Sequence, residues 1–248
     1  WQVLECRAQR GVHPLMLVEV AIADAFGCGF EFRPQEEVER FNDLSLGYRP
    51  DHPETGVKSG HYSDDTHMTI ALVELALEGK PWTMLSVANA FVKNYKRDPR
   101  PWGYSQRMRD ALEGSRTGTD LLKNVDRCSG ASGAAMRATP CVFRAYSKAG
   151  VQWQAEVQAE VTHATAEGRA SAVAAAALAY GFRSGVFNTP TFEKMAGQFD
   201  FTWETFWTGR VPCSGLAVVH AAFTAIRSAW TRNTDEWVRG EPSGHYSM

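Results

Sequence analysis

Residues 62–79 read YSDDTHMTIALVELALEG, and this stretch decides the class of fold. Apolar side chains recur at Met68, Leu72 and Leu75, which is the three- and four-residue spacing of an amphipathic helix. Gly79 follows directly and favours a helix end, because glycine readily takes the left-handed conformation found there. The stretch therefore predicts one helix that this glycine ends.

The other periodic segments of the chain have the same helical spacing, and none shows the sustained alternation of a half-buried strand. Proline and glycine mark residues 98–104 as a loop, and polar composition marks 231–248 as an irregular tail. The sequence therefore predicts an all-α fold in one compact domain over residues 1–248. The predicted helices span 14–26, 65–78, 82–95, 105–112, 119–125, 151–165, 169–180 and 214–230.

Length and composition indicate a globular chain with its own core. The chain has 248 residues, of which 44% are hydrophobic and 22% charged. With 26 basic and 28 acidic residues the net charge is −2, which argues against a nucleic-acid binder because such proteins carry a basic surplus. No apolar stretch approaches the ~20 residues of a membrane span, and we find no targeting signal. We expect a cytoplasmic protein without nucleic-acid or membrane partners.

The five cysteines are scattered along the chain with no CxxC spacing. An odd number without paired spacing favours reduced thiols over a disulfide framework or a zinc site. We therefore interpret them as small buried apolar residues in a reducing compartment. They are Cys6, Cys28, Cys128, Cys141 and Cys213.

The most concentrated group of oxygen-bearing side chains is Ser63, Asp64 and Asp65, at the start of the helix quoted above. Hydroxyl and carboxylate oxygens are typical ligands of Mg²⁺, Mn²⁺ or Ca²⁺. The same residues also suit a helix start without a metal, with Ser63 as N-cap and the two acids favoured by the helix dipole. Residue chemistry alone leaves both interpretations open.

Two further carboxylates, Asp24 and Glu31, flank a pair of glycines after the first predicted helix. Gly29 allows the chain to turn so that Glu31 points back along the helix. A carboxylate in that place could act as a general acid or base or polarise a water molecule. Surface carboxylates also commonly follow helix ends, which is the alternative without chemistry.

A third candidate is the small-residue loop CSGASGAAMRATP at residues 128–140. Free backbone N–H groups in such a loop can hold a phosphate, although the same composition also serves as a plain connection. His163 lies within a predicted helix among apolar neighbours, where a histidine is more often structural than a ligand.

Taken in order, these segments resemble the ADP-ribosylglycohydrolase family, which includes the dinitrogenase-reductase-activating glycohydrolase and hydrolases of ADP-ribosylated arginine and serine. The family's Tyr-Thr/Ser-Asp-Asp-Thr-x-Met motif is matched at 62–68 without a gap, and its Gly-Asp-Ala-Leu-Gly pattern followed by a Glu is matched at 23–27 and Glu31. The later matches are Gly103-Tyr104, Ser132-Gly133 through Met136-Arg137 to Pro140, and Thr162-His163.

The resemblance implies an all-α fold with two Mg²⁺ or Mn²⁺ ions at the base of a cleft. Ser63, Asp64 and Asp65 would be metal ligands. Glu31 and Asp24 would be the catalytic residues, Glu31 beside the scissile ribose bond and Asp24 near the metal ligands. The residues implied to bind the substrate are Gly103, Tyr104, Gly130, Ala131, Ser132, Gly133, Met136 and His163.

The implied activity is a metal-dependent hydrolysis that removes ADP-ribose from a modified protein or small molecule. It passes through an oxocarbenium-like state at the ribose anomeric carbon. Two departures from the family pattern argue against this activity. Ser132 stands where the family usually has Asn. Residues 231–248 lack the family's Asp-x-Asp-Thr segment, which carries further metal ligands. The alternative is a truncated relative that binds ADP-ribose without cleaving it. The sequence leaves the acceptor, the choice of metal and the oligomeric state open.

Overall fold

A computed structural model describes residues 15–43, 46–98, 102–129, 131–145 and 147–183 of the chain. These ranges contain helices and a single isolated antiparallel bridge, between Cys128 and His163, and no strand. The predicted all-α fold is confirmed. The helix predicted over 214–230 and the tail predicted over 231–248 lie outside the described residues. None of the described helices is long and apolar enough to cross a membrane.

The described ranges hold eight α-helices and three short 3₁₀ turns. The α-helices are α1 (Leu15–Gly27), α2 (Gln35–Phe41), α3 (Asp64–Glu78), α4 (Met84–Arg97), α5 (Gln106–Glu113), α6 (Gly118–Asn124), α7 (Lys148–Glu160) and α8 (Ala166–Arg183). The 3₁₀ turns are Cys28–Phe30, Ser132–Ala134 and Thr139–Val142.

Capping side chains set the helix ends that apolar spacing placed only to within a few residues. The Ser63 side chain accepts a hydrogen bond from the Asp65 N–H and begins α3, and Gly79 ends it with φ of 75°. Thr83 and Thr117 begin α4 and α6, each through a reciprocal capping box. Local hydrogen bonds therefore place the starts of α3, α4 and α6 one or two residues from their predicted positions.

Helix α2 was not among the predicted helices, because it has only seven residues and none of them is fully buried. Its local signals are Pro34 immediately before it and two acidic residues, Glu36 and Glu37, in its first turn.

The prediction that His163 lies within a helix is wrong. Helix α7 ends at Glu160, and His163 lies in the turn that leads to α8. Arg137 supplies the physical reason, because its Nη2 donates to the Gln158 carbonyl oxygen at 3.2 Å. The Gln158 carbonyl in the last turn of α7 thus accepts from the Arg137 side chain and not from a backbone N–H of a longer helix.

The core lies between α3, α4, α7 and α8, with the short α6 packed against α4. Leu72, Val87 and Leu121 are fully buried there. Helices α7 and α8 approach each other through alanines, which allow close contact because their side chains are small. This packing fixes the start of α3 and the turn after α7, the two places that carry the site.

The three described cysteines are free thiols. Cys141 is fully buried, as predicted for all of them, and Cys28 is half-buried. Cys128 is exposed, so its predicted burial is wrong, because it lies in the loop that pairs with His163 at the surface. Cys6 and Cys213 lie outside the described residues.

Candidate active site

A cavity of about 700 Å³ opens where the start of α3 meets the loop before α5 and the turn after α7. This volume is typical of small-molecule sites. Ten of the predicted site residues line it: Glu31, Asp64, Asp65, Gly103, Tyr104, Ala131, Ser132, Gly133, Met136 and His163. Asp24 and Ser63 lie behind its wall, and Gly130 lies outside the described residues. Segments separated by more than a hundred residues thus meet at one cavity.

Asp24, near the end of α1, connects this helix to the start of α3 through four hydrogen bonds. Its carboxylate accepts hydrogen bonds from the Ser63 N–H at 3.0 Å and hydroxyl at 2.7 Å. It also accepts from the Thr66 N–H at 2.9 Å and hydroxyl at 2.6 Å. Both oxygens are therefore occupied, and the geometry gives Asp24 a positioning role. The catalytic role suggested for it stays a prediction.

Asp64 and Asp65 form an acidic wall with little compensating charge. Burial raises the pKa of Asp64 to about 7, and the charges of Glu31 and Asp24 add to this rise. Burial likewise raises the pKa of Asp65 well above its usual range, with further contributions from Asp24 and Asp64. Crowding of like charges in a desolvated wall is relieved by a proton or by a bound cation.

The donor chemistry of this wall fits a hard divalent cation on one side. Two carboxylates and the Ser63 hydroxyl are the oxygen ligands that Mg²⁺ or Mn²⁺ prefers. Among the described residues, however, no three His, Cys, Asp or Glu side chains are grouped as a metal site. The hydroxyl also already donates to Asp24. The described residues therefore supply part of a coordination shell, and the metal assignment of Ser63, Asp64 and Asp65 stays a prediction.

Glu31 lies at the mouth of the cavity, on the turn that follows the 3₁₀ helix after α1. Partial desolvation raises its pKa; His52 opposes the rise, and Asp24 adds to it. The next residue, Phe32, has a positive φ of 58° and a side chain that is 71% exposed. Gly29, expected to allow a turn, is needed for a close approach, because a Cβ there would lie 2.7 Å from the Arg49 Cβ.

Gly103 lies so close to the acidic wall that only a residue without a side chain fits there. Its φ is 82°, and a Cβ there would lie 2.8 Å from the Ser63 Cβ and 3.0 Å from the Asp64 N. Tyr104 is only 5% exposed, and its hydroxyl lies 2.9 Å from the His67 Nδ1. Both residues line the cavity, but their contacts in the protein support the wall; substrate binding by them stays a prediction.

The opposite wall is built on the loop at 131–137 and on His163. The ring of His163 packs on Gly133, where a Cβ would lie 2.6 Å from the ring Cε1. Burial, and then the charge of Arg137, lowers the pKa of His163 to about 4. The ring is therefore neutral near pH 7. Ser132 and Ala131 are exposed beside it, and Met136 is half-buried.

Several residues that line or support the cavity were not assigned a role from the sequence. Arg107 and Arg109 add basic side chains to the cavity, and Glu54 adds an acidic one. Their only sequence signal was position beside a Pro- and Gly-rich loop. His52 and Arg137 are buried supports, and a single sequence carries no signal for such long-range contacts.

Comparisons with known proteins find a matching family and a curated relative. A family model described as ADP-ribosylglycohydrolase matches residues 16–240, a range that includes every candidate residue named above. An ADP-ribosylarginine hydrolase Tri1 of Pseudomonas putida (strain GB-1) is 30% identical over 154 residues. That match covers 59% of this chain and 40% of the relative, so the chain spans less than half the relative's length.

Proposed function

The chain belongs to the ADP-ribosylglycohydrolase family, and we propose that its cavity binds an ADP-ribosylated substrate and hydrolyses the bond at the ribose anomeric carbon. The observation that carries this proposal is the cavity itself. On one side of the cavity lie Glu31 and the acidic wall of Asp64 and Asp65. On the other side lie small residues and His163.

These two walls suit two parts of ADP-ribose, its diphosphate and its terminal ribose. The diphosphate is anionic and needs N–H donors, which the wall with Gly133 and His163 and the side chains of Arg107 and Arg109 can supply. The ribose offers hydroxyl groups and an electron-poor anomeric carbon. Carboxylates on the acidic wall favour such a centre as positive charge develops on it.

We assign Asp64 and Asp65, with Ser63, to the protein side of an Mg²⁺ or Mn²⁺ site, with two ions expected from the family resemblance. A bound divalent cation would orient the ribose hydroxyls and the attacking water. The protein's own part is to hold the carboxylates in place, through the Asp24 hydrogen bonds to Ser63 and through the space left by Gly103.

Glu31 is the residue proposed to move the proton. Its carboxylate lines the cavity, and partial desolvation raises its pKa, which makes it a stronger base than an exposed glutamate. A water oxygen bonds to the anomeric carbon, the bond from that carbon to the acceptor breaks, and the water proton passes to Glu31. Glu31 then passes this proton to the leaving acceptor, so the carboxylate is restored and the atoms and charges balance.

We propose arginine as the acceptor. The mouth of the cavity carries Glu31 and Glu54 beside the exposed Phe32 ring. A guanidinium group pairs with carboxylates and stacks on aromatic faces, whereas a serine hydroxyl does neither. The relative from Pseudomonas putida, whose name specifies arginine, supports the same choice.

The test is release of free ADP-ribose from peptides ADP-ribosylated on arginine or on serine, with Mg²⁺ or Mn²⁺ and after chelation. We expect metal-dependent release from the arginine peptide and slower release from the serine peptide. Equal release after chelation would contradict the metal assignment. Binding of ADP-ribose without any release would support the alternative, a binding protein that does not cleave. Neither binding nor release by folded protein would overturn the proposed function.

A further inference from the structure

His163 stands out among the cavity residues because one edge of its ring is bonded to the protein and the other is not. Its Nδ1 lies 2.7 Å from the Thr162 hydroxyl oxygen. Within the described residues its Nε2 has no hydrogen-bond partner, and the ring lines the cavity. The nitrogen that carries the proton decides whether this edge is a donor or an acceptor.

Arg137 settles the direction of the hydrogen bonds behind His163. Its guanidinium is fully buried and can only donate, and its Nη2 lies 2.6 Å from the Thr162 hydroxyl oxygen. That oxygen therefore accepts from Arg137. No other acceptor for the Thr162 hydroxyl hydrogen lies within hydrogen-bond distance among the described residues, so the hydrogen points to the His163 Nδ1.

The guanidinium is itself held in one place. Its Nε donates to the Gln158 side-chain oxygen at 2.7 Å, and its plane lies over the Phe91 ring with 4.6 Å from Cζ to the ring centroid. Burial lowers its pKa only to about 10, so the group stays cationic at neutral pH. Arg137 is thus a fixed donor at the base of the chain of hydrogen bonds.

Two glycines pack closely against His163, one against its ring and one against its Cβ. A Cβ on Gly133 would lie 2.9 Å from the ring Nε2, and a Cβ on Gly168 would lie 2.7 Å from the His163 Cβ. The ring therefore packs against the bare backbone of Gly133, and the backbone of Gly168 packs against the base of the same side chain. The hydrogen bonds from Arg137 through Thr162 determine which ring nitrogen of His163 carries the proton. The packing of Gly133 determines which way the ring faces.

We propose that Arg137 and Thr162 are positioning residues that hold His163 in its Nε2–H tautomer, so that it presents one N–H donor to an acceptor oxygen of the ligand in the cavity. The ligand half of this inference rests on the proposed function. In the other tautomer Nε2 would be an acceptor and would repel the lone pairs of a phosphate oxygen. The burial that keeps the ring neutral near pH 7 supports the same arrangement.

The first test reads the tautomer directly, in ligand-free protein at pH 7, from long-range ¹H–¹⁵N NMR spectra of the imidazole rings. His163→Gln identifies the His163 signals by their loss. We expect the Nε2–H form in the wild type and in Thr162→Ser, which keeps the hydroxyl. We expect a mixture of tautomers in Thr162→Val, which has nearly the same shape but no hydroxyl. An averaged or Nδ1–H signal in the wild type would overturn the inference.

The second test measures ADP-ribose affinity by calorimetry, with the melting temperature as a check of folding. We expect about tenfold weaker binding for Thr162→Val, the loss of roughly one hydrogen bond, and wild-type binding for Thr162→Ser. We expect KM to rise in the same proportion while kcat stays near its wild-type value. Wild-type affinity in folded Thr162→Val would overturn the ligand half of the inference.

The two tests separate this inference from the proposed function. If the wild type binds no ADP-ribose, the proposed function fails and the ligand half fails with it. The tautomer measurement needs neither ligand nor activity, so it still decides whether Arg137 and Thr162 orient His163.

Discussion

The Nε2 atom of His52 lies 2.7 Å from the backbone carbonyl oxygen of Glu31. Nδ1 of the same ring accepts from the backbone N–H groups of Glu54 and Thr55, at 3.2 and 3.1 Å. The proton is therefore on Nε2, which donates to the Glu31 carbonyl. One buried ring thus joins the segment that carries Glu31 to the loop that carries Glu54, and both acids line the cavity.

We predict that His52→Ala lowers kcat for ADP-ribose release at least tenfold. The substitution leaves the Glu31 carbonyl without its donor and two backbone N–H groups without their acceptor, at a cost of about 1–3 kcal/mol in unfolding free energy. His61→Ala removes an exposed histidine from the neighbouring loop and is the matched control. Unchanged kcat in folded His52→Ala would contradict a positioning role for this ring.

Gly103→Ala tests the space beside the acidic wall. The new Cβ would lie 2.8 Å from the Ser63 Cβ, so the start of α3 must shift and carry Asp64 with it. We expect weaker Mn²⁺ binding in calorimetric titrations and a large loss of activity. Gly47→Ala is the control, because Gly47 has a similar φ of 73° but nothing within 4 Å of its Cβ position. Equal effects of both substitutions would assign the loss to backbone strain alone.

Asp24→Asn tests the carboxylate that joins α1 to α3. An amide nitrogen replaces one accepting oxygen and faces N–H or O–H donors of Ser63 and Thr66. We expect a loss of roughly 2–4 kcal/mol in unfolding free energy, measured by urea denaturation. Glu36→Gln, at an exposed position on α2, is expected to stay within about 0.5 kcal/mol of wild type. Similar stability of the two variants would contradict the role of Asp24.

The raised pKa of Asp64 predicts a pH-dependent stability in metal-free protein. Between the usual pKa of 3.8 and the folded value of about 7, the folded state binds more protons than the unfolded state. Stability from this group is therefore complete below about pH 3.8 and is lost as the pH rises towards 7. We expect Asp64→Asn to remove this part of the decline in urea unfolding measured from pH 4 to 7.

His163 contributes to the same pH range with the opposite sign, because its folded pKa of about 4 lies below the usual 6.5. Its contribution to stability is complete above pH 6.5 and is lost as the pH falls towards 4. The difference between wild type and Asp64→Asn isolates the aspartate from this effect. An identical pH slope in the two proteins would contradict the burial of Asp64 as an uncompensated acid.

The sequence predicted those features whose determining residues lie close together in the chain. Helix α3 and its acidic start were identified because their apolar spacing and capping residues lie within one short segment. The contact of His52 with Glu31 spans 21 residues, and that of Arg137 with Thr162 spans 25, so neither leaves a local pattern. Such contacts arise only when the chain is packed.

His163 shows how tertiary contacts override a local pattern. The apolar spacing of α7 continues past Glu160, yet a buried guanidinium binds the last turn and ends the helix there. Gly103 was singled out by its place in a motif, but the reason for a glycine, its approach to Ser63, depends on a segment 40 residues earlier. The sequence therefore identified His163 and Gly103 as site residues, but it did not predict which residues they contact.

The most direct measurement of the central claim compares Glu31→Gln with Glu36→Gln for ADP-ribose release from an arginine-modified peptide, with ADP-ribose affinity measured in parallel. If Glu31 moves the proton at this cavity, its substitution lowers kcat by about 10²–10⁴-fold and leaves affinity within a few fold, while Glu36→Gln releases at the wild-type rate. Wild-type release by Glu31→Gln would contradict the proposed mechanism.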